Sequence, residues 1–251
     1  MESVNLGHVK EIEKEAFFWC IALKSVDLSS CKYIRDRAFS FVAIGQLELS
    51  NVGYIYQEAF SYCSNLKSLV LNNAIIVGDG AFKECGLESV QFDSMLQNIG
   101  KGAFSSCMHL EQVTIPSSVE LIGDGCFSDC SSLCQIDVQS GNAHFRSVNG
   151  VLFDSGITRL IQYPAGKPDL TYVIPATVSN VGEHAFSGCS LLESITIPGS
   201  VVSLGTGAFR NCTSLKSLTM PININAVGNN LEPLFEGVAR LDSVHLTRGA
   251  S

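Results

Sequence analysis

A chain of 251 residues with 46% hydrophobic content can bury a full core, so a folded protein is expected and disorder is excluded. The net charge is −8 with only 16 Lys and Arg, which leaves no electrostatic footprint for a phosphate backbone or an anionic lipid surface. Nucleic-acid binding is excluded on the same ground.

The opening MESVNLGHVKEIEKEAF has no basic segment followed by an unbroken apolar run, so it contains no visible secretory signal. No stretch approaches eighteen apolar residues and the ending HLTRGAS carries no anchor, so the chain as written reads as soluble, without membrane insertion. Val4-Asn-Leu6 already has the alternation of a strand, and from there the sequence is periodic. Phe17, Phe39, Phe60, Phe82, Phe104 and Phe127 follow one another at steps of 22, 21, 22, 22 and 23 residues. Phe186, Phe209 and Phe235 continue at 23 and 26. Three residues after the Phe stands a Cys (Cys20, Cys63, Cys85, Cys107, Cys130, Cys189, Cys212), then a Leu, then an alternating tripeptide such as Val113-Thr-Ile115, Ile136-Asp-Val138, Ile195-Thr-Ile197 or Val244-His-Leu246.

The alternation is that of one short strand per coil, with its apolar members inward. Pro116, Pro198 and Pro221 close it, because proline cannot donate to a ladder. An apolar pair three apart follows, as in Val119 and Ile122, and then Gly-x-Gly before the next Ala-Phe. A unit this short cannot bury its own apolar side, so neighbouring units must stack on it. The predicted fold is a leucine-rich repeat solenoid: a parallel sheet of short strands on one side, helical or turn segments on the other.

One interruption falls between Val138 and Phe186. Val151-Leu-Phe153, the polar Asp154-Ser-Gly156 and Leu160-Ile-Gln-Tyr163 read as a hairpin, which makes 139–175 a modified repeat inside a single domain spanning 1–251. IPSSVELIGDGCFSDCSSLCQIDV and IPATVSNVGEHAFSGCSLLESITIPGSVVSLGTGAFRNCTSL resemble the BspA-like class of leucine-rich repeats, and VNGVLFDSGITRLIQYPAGK resembles that family's variant unit. The resemblance covers nearly the whole chain. It implies a cell-surface or extracellular protein of the adhesion type, with a host matrix or surface protein as partner, and it implies no particular ligand.

The cysteine ladder admits disulfide, metal and packing readings. Neighbouring ladders lie about 4.8 Å apart, inside the rough 4.4–6.8 Å window for a bridge, so distance alone does not decide. Val42 and Val238 stand in the same slot, which a bridging or ligating sulfur would not allow and a buried apolar group would. Packing is therefore expected for the seven ladder thiols and, by their frame positions, for Cys31 and Cys126, while Cys134 should face outward. Cys126, Cys130 and Cys134 point in different directions and do not form a metal site. The pairs Gly78/Gly80, Gly100/Gly102, Gly123/Gly125 and Gly205/Gly207 read as turn glycines at φ > 0, since the third Gly of a dinucleotide fingerprint is absent. His8, His109, His144, His184 and His245 occupy unrelated frame positions, with His184 where other coils carry Gly. No catalytic set converges, and no enzyme activity, cofactor or metal is expected. Asn211-Cys-Thr213 is a glycosylation sequon whose Cys belongs to the predicted core.

What remains is surface. The residue between the two inward strand positions gives a file of Asp27, Glu48, Val70, Gln91, Thr114, Asp137, Thr196, Thr219 and His245, polar and nearly free of bulky groups. These residues are the candidate protein-binding face, with weak single-site affinity raised by multivalency. An intracellular scaffold that binds a partner protein is the competing reading, and a signal sequence upstream of Met1 in the genomic frame separates the two. Neither end carries an evident polar cap, so the chain is expected to be a piece of a longer array or to self-associate through its ends.

Overall fold

The computed structural model describes residues 2–222, 224–226, 234–239 and 241–247. It is a parallel β-solenoid, and no α-helix occurs among the described residues. The longer strand of each coil is the alternating segment expected from the sequence, for example Ser68–Leu71, Ser89–Phe92, Gln112–Ile115, Gln135–Val138, Ser194–Thr196 and Ser217–Pro221. Val113 and Ile115 are buried while Thr114 is exposed, as a period of two requires.

A second strand of two residues precedes each Phe. Glu11–Ile12, Tyr33–Ile34, Tyr54–Ile55, Ile76–Val77, Asn98–Ile99 and Leu121–Ile122 form one six-stranded parallel sheet. The expectation of one strand per coil covers only the longer of the two. Ile122, taken in sequence as half of an apolar pair, belongs to a strand of its own.

The long-strand sheet is not continuous. It divides into pairs and a final four-stranded sheet, and residues 47–49 form no strand although Leu47 and Leu49 are buried. Two coils are a residue short between the Cys slot and the Leu slot, with Val42 followed by Ile44 and Cys85 by Leu87. The first of these coils supplies no long strand, and the second supplies Ser89–Phe92, which pairs in register with Ser68–Leu71 but not with Gln112–Ile115.

The Ala-Phe corner is what repeats most faithfully. Amides two before the Phe, at the Phe and two after it donate to the next coil: Gly80 to the Lys101 carbonyl at 2.8 Å, Phe82 to Ala103 at 2.8 Å and Glu84 to Ser105 at 2.9 Å. A left-handed residue stands at each end of this run, with φ of 61° at Gly80 and 55° at Glu84. Inside it the rings of Phe17, Phe39, Phe60, Phe82, Phe104 and Phe127 stack at 5.1 to 5.6 Å, with planes tilted by no more than 13°. From Phe39 to Phe127 they are fully buried, whereas Phe17, in the first coil, is only half-buried because no ring covers its outer face.

The paired glycines divide two tasks between them. Gly80, Gly102, Gly125 and Gly207 have positive φ, as expected. Gly78 and Gly100 do not. A Cβ there would lie 2.7 Å from the Tyr56 carbonyl carbon and 2.5 Å from the Gly78 carbonyl carbon, so these glycines permit two coils to touch through their backbones.

The modified repeat holds a three-stranded meander rather than one hairpin. Phe145–Val148 pairs antiparallel with Val151–Asp154, which pairs antiparallel with Arg159–Gln162. Asn149 and Gly150, at φ of 51° and 80°, make the first turn; Asn-Gly with both residues left-handed is the tight hairpin connection. Leu152 and Ile161 join the core of the first six coils, while Val151, Phe153, Leu160 and Tyr163 join the core of the last ones. The meander is a partition buried on both faces, which is why its strands read as near-continuous apolar runs. Tyr163 takes the Phe slot, stacking on Phe186 at 5.2 Å, and its amide donates to the Ala185 carbonyl.

Replacing a ring in the middle of the stack removes its burial and leaves a cavity, so Phe104→Ala should cost about 3–5 kcal/mol in chemical denaturation. Thr114→Ala, on the exposed side of a strand, should stay within about 0.5 kcal/mol. Equal effects would show that the Phe column is not the core of each coil.

Candidate functional site

The file read from the sequence runs along the outer face of the long strands. Val70 is paired with Gln91, Thr114 with Asp137, and Thr196 with Thr219 and then His245, all in parallel register. Val173 extends the same file through the modified repeat, paired with Thr196 and 67% exposed. Asp27 stands in the separate first pair, opposite Asn5, and Glu48 lies outside any ladder. The structure therefore places Asp27, Glu48, Gln91, Thr114, Asp137, Thr196, Thr219 and His245 on one side of the solenoid without joining them into one sheet.

Two acids of the file are engaged locally. Asp27 accepts from the Ser29 amide at 3.0 Å, which with the Ser29 hydroxyl holds its carboxyl below the usual range. Asp137 accepts from the Gln135 side-chain amide at 2.8 and 2.7 Å. The face is thus flat, polar and short of free charge. No Trp, Phe, Tyr or Arg stands in it, so it lacks the residues that usually dominate interface energies.

The aromatics that reach the surface are elsewhere, Trp19 exposed and Phe41 and Tyr62 half-buried. Trp19, Phe41 and Tyr62 occupy the left-handed position two after the Phe in the first three coils, with φ of 62°, 59° and 62°. Their rings form a second column, Trp19 to Phe41 at 4.5 Å and Phe41 to Tyr62 at 4.2 Å, outside the buried one. Bulky residues are uncommon in this conformation, and mutual stacking offsets part of the strain. Glu84, Ser106, Asp129 and Asn211 follow at the same corner position, so its character changes from aromatic to polar along the solenoid. Nothing in the spacing of Trp19, Phe41 and Tyr62 alone marks a surface column; aligning every coil on its Phe does.

A polar groove of about 600 Å³ follows this corner. It runs along the corners from Gln57 to Asp129 and on to Glu183 and Asn211, across the modified repeat. The chain passes directly from Tyr163 through Pro164 and Ala165 to Gly166, whose amide returns to the Leu133 carbonyl, so this coil contributes no corner of its own. The corners on either side then meet across the gap. The Asp129 carboxylate accepts from the Ser187 hydroxyl and from the Asn211 side-chain amide, each at 3.0 Å, and Asp124 pairs with Arg159. His184 takes the left-handed position expected for it, at φ of 56°, and its imidazole lies over Gly207, where any side chain would collide with it. The groove walls carry charges of both signs, among them Glu58, Lys83, Lys101, Asp124 and Glu183. The glycosylation-sequon residue Asn211 thus has its side chain tied to Asp129.

The ladder thiols do more than fill space. Cys63, Cys85, Cys107, Cys130 and Cys212 are buried and donate to the carbonyl of the Phe in the preceding coil at 3.1 to 3.3 Å. All ten cysteines are free. Burial raises the Cys107 thiol to about 12 and lifts Cys85, Cys126, Cys130 and Cys189 as well. Cys31 is buried, as expected from its frame position. Cys20 departs from the expectation. It holds a ladder slot in the first coil, where no preceding Phe carbonyl exists, and it is exposed along with Cys134.

With this geometry the affiliation of the chain follows. It matches the family model for the BspA type leucine rich repeat region, in six copies, over residues 1–76, 70–155 and 168–250, and it belongs to that family. Among solved structures it is similar to a leucine rich cell surface protein of Faecalibacterium prausnitzii A2-165, with 26% identity and a TM-score of 0.79 over 98% of this chain and 79% of that one. A leucine-rich repeat protein of Eubacterium ventriosum ATCC 27560 shares 26% identity at a TM-score of 0.66, over 79% of this chain and 59% of that one. The pneumococcal vaccine antigen PcpA shares the fold, at 24% identity and a TM-score of 0.62 over 100% of this chain and 69% of that one. No curated protein matches the chain. No helix among the described residues is long and apolar enough to cross a membrane.

Thiol labelling followed by peptide mass mapping should show Cys20 and Cys134 modified under native conditions and Cys85, Cys107, Cys130 and Cys189 only after denaturant. Native modification of those four would remove the account of the ladder as buried donors. The glycine pairs give a second check. Gly100→Ala should destabilise by more than ~1 kcal/mol, since its Cβ meets backbone, and Gly102→Asn by less, because Asn accepts left-handed φ.

Proposed function

We propose that the chain is a non-enzymatic, protein-binding segment of a cell-surface protein of the adhesion or host-interaction type. Membership of the BspA-type family supports this, as does the likeness to a leucine rich cell surface protein. The observation that carries it is the outer face of the four-stranded sheet. Val173, Thr196, Thr219 and His245 are held side by side in one parallel register on a solenoid that needs no rearrangement to present them. A preorganised flat face loses little entropy on binding, which favours an extended protein partner lying across the strands. Without aromatic or Arg anchors in that file, single-copy affinity is weak, and dense display raises it by about 10² or more.

The corner groove supports a second placement for the same partner, because it is a concave surface and carries Lys101 and Glu183 on opposite sides of the skipped coil. The two placements separate cleanly. The chain is immobilised at high density and purified extracellular-matrix glycoproteins are passed over it, with Thr196→Arg/Thr219→Arg compared against Lys101→Glu/Ser106→Arg. The strand-face placement predicts a loss of about tenfold, equivalent to about 1.4 kcal/mol, for the first pair and almost none for the second. The opposite pattern moves the partner to the groove. Absence of binding to every matrix protein at high display density overturns the adhesion reading.

A further inference from the structure

The short strands make a surface that the long strands do not. Their six-stranded sheet is unbroken, and each strand buries its second residue and turns the first outward. The outward file runs Glu11, Tyr33, Tyr54, Ile76, Asn98 and Leu121, each paired with the next in parallel register. Two residues further along the chain, Arg35 and Tyr56 reach the same side. Three tyrosines and an arginine, residue types that dominate interface energies, therefore stand together on adjacent coils, away from the polar long-strand file. After the modified repeat the corresponding file is Arg159, Asn180 and Ser203, so the aromatic character is confined to the first half.

Tyr54 and Tyr56 each have one ring face covered from the preceding coil. Tyr33 stacks on Tyr54 at 5.2 Å, with planes 17° apart. The Arg35 guanidinium, held by Glu11, lies 4.6 Å from the centre of the Tyr56 ring. On the following coil the neighbours are Ile76 and Gly78, and a Cβ at Gly78 would lie 2.7 Å from the Tyr56 carbonyl carbon. The surface drops there from two rings to an aliphatic side chain and bare backbone. This step is a shelf for one apolar side chain.

Charge sets a second requirement. Lys10 and Lys32 stand immediately before the first two strands of this sheet, with the Lys32 amide on the Lys10 carbonyl at 2.8 Å, and both side chains are exposed. Glu11 is occupied by Arg35, and neither lysine forms an ion pair among the described residues. The Tyr33 and Tyr54 hydroxyls likewise have no protein partner among the described residues. Glu13 and Asp36, the other acids nearby, lie on the opposite flank, level with Arg35 and one residue past it. Two ammonium groups beside two free phenol donors complement carboxylates.

We propose that this face binds an acidic peptide segment of a partner protein, with one apolar or aromatic side chain on the shelf beside Tyr54 and Tyr56 and carboxylates on Lys10 and Lys32. Ile76 lies two coils from Lys32 and three from Lys10. That is on the order of 10–14 Å at the spacing of neighbouring ladders, which an extended chain covers in about three or four residues. The segment lies along the solenoid axis, on a different sheet from the long-strand file, so neither placement depends on the other.

NMR titration of the isotope-labelled 251-residue chain tests this with three synthetic peptides. They are acetyl-Asp-Asp-Ser-Ser-Phe-amide, its counterpart with Lys for both Asp, and its counterpart with Ser for Phe. The first should give saturable amide shifts at residues 32–35, 54–56 and 75–78 with a Kd in the millimolar range or below, and the other two should bind at least about tenfold more weakly. Lys10→Gln/Lys32→Gln should weaken the first peptide about tenfold. Lys67→Gln/Lys216→Gln makes the same change in net charge at exposed lysines elsewhere and should leave it unchanged. Tyr54→Thr, which keeps a strand-forming residue, should abolish the preference for Phe over Ser. Should that variant melt early, the two lysine pairs decide, since all four side chains are exposed. The proposal is overturned if the acidic peptide shifts none of these amides, if the Lys or the Ser peptide binds as tightly, if the two lysine pairs act alike, or if folded Tyr54→Thr keeps the preference.

Discussion

The structure depends on one interaction, the backbone contact between successive Ala-Phe corners. At that point three amides per coil reach three carbonyls of the next, around a ring stacked on its neighbours. Burying the ring is worth about 1.5–3 kcal/mol and each satisfied backbone bond a net of about 1, so a corner outweighs a strand of two residues and is comparable with a strand of four that buries two apolar side chains, such as Val113 and Ile115. The requirement that amides, ring and thiol all meet the adjacent coil explains why the residue choices at the corner are narrow. Ala precedes Phe in most coils and lies fully buried, and Cys follows because its thiol reaches the Phe carbonyl of the coil before. Glycine stands wherever two backbones touch, as at Gly100.

The modified repeat shows what happens when the constraint is lifted once. Without a corner, this coil keeps the ring slot by using Tyr163 and spends the extra chain on a meander that closes two cores at the same time. Tyr163 is the larger ring, and its hydroxyl donates to Asp169 at 3.0 Å, which Lys167 in turn pairs at 3.0 Å. Burial and that carboxylate both raise the Tyr163 hydroxyl above its ordinary range, so it stays a donor. The omitted corner draws Asp129 onto Ser187 and Asn211, across 58 and 82 residues of sequence, with the groove alongside. A single departure from the period thus brings together corners that are far apart in sequence.

Period, core and sheet face were legible in the sequence because each rests on side-chain type at fixed spacing, such as Phe104, Cys107, Leu110 and Val113. The short second strand was not, since two residues such as Asn98 and Ile99 cannot display an alternation. Asn149-Gly150 did carry a hairpin signal, masked by the apolar run that follows it. The Tyr163 substitution was hidden because 36 residues, not 22 or 23, separate it from Phe127. The groove and the aromatic column depend on which corners touch, and the sequence holds no local mark of Asp129 meeting Asn211. The exposure of Cys20 and the half-burial of Phe17 are end effects, which a repeat frame treats as interior by construction.

The corner ladder recurs in nearly every coil while the long-strand sheet is interrupted, so the corners are expected to be the most protected part of the solenoid. Native-state amide hydrogen exchange tests that account most directly. The amides of Phe60, Phe82 and Phe104 should exchange only through global unfolding, while those of Thr114 and Thr196, on the long strands, open by local fluctuation and exchange faster. Strand amides protected to the global limit, with corner amides exchanging ahead of them, would contradict it.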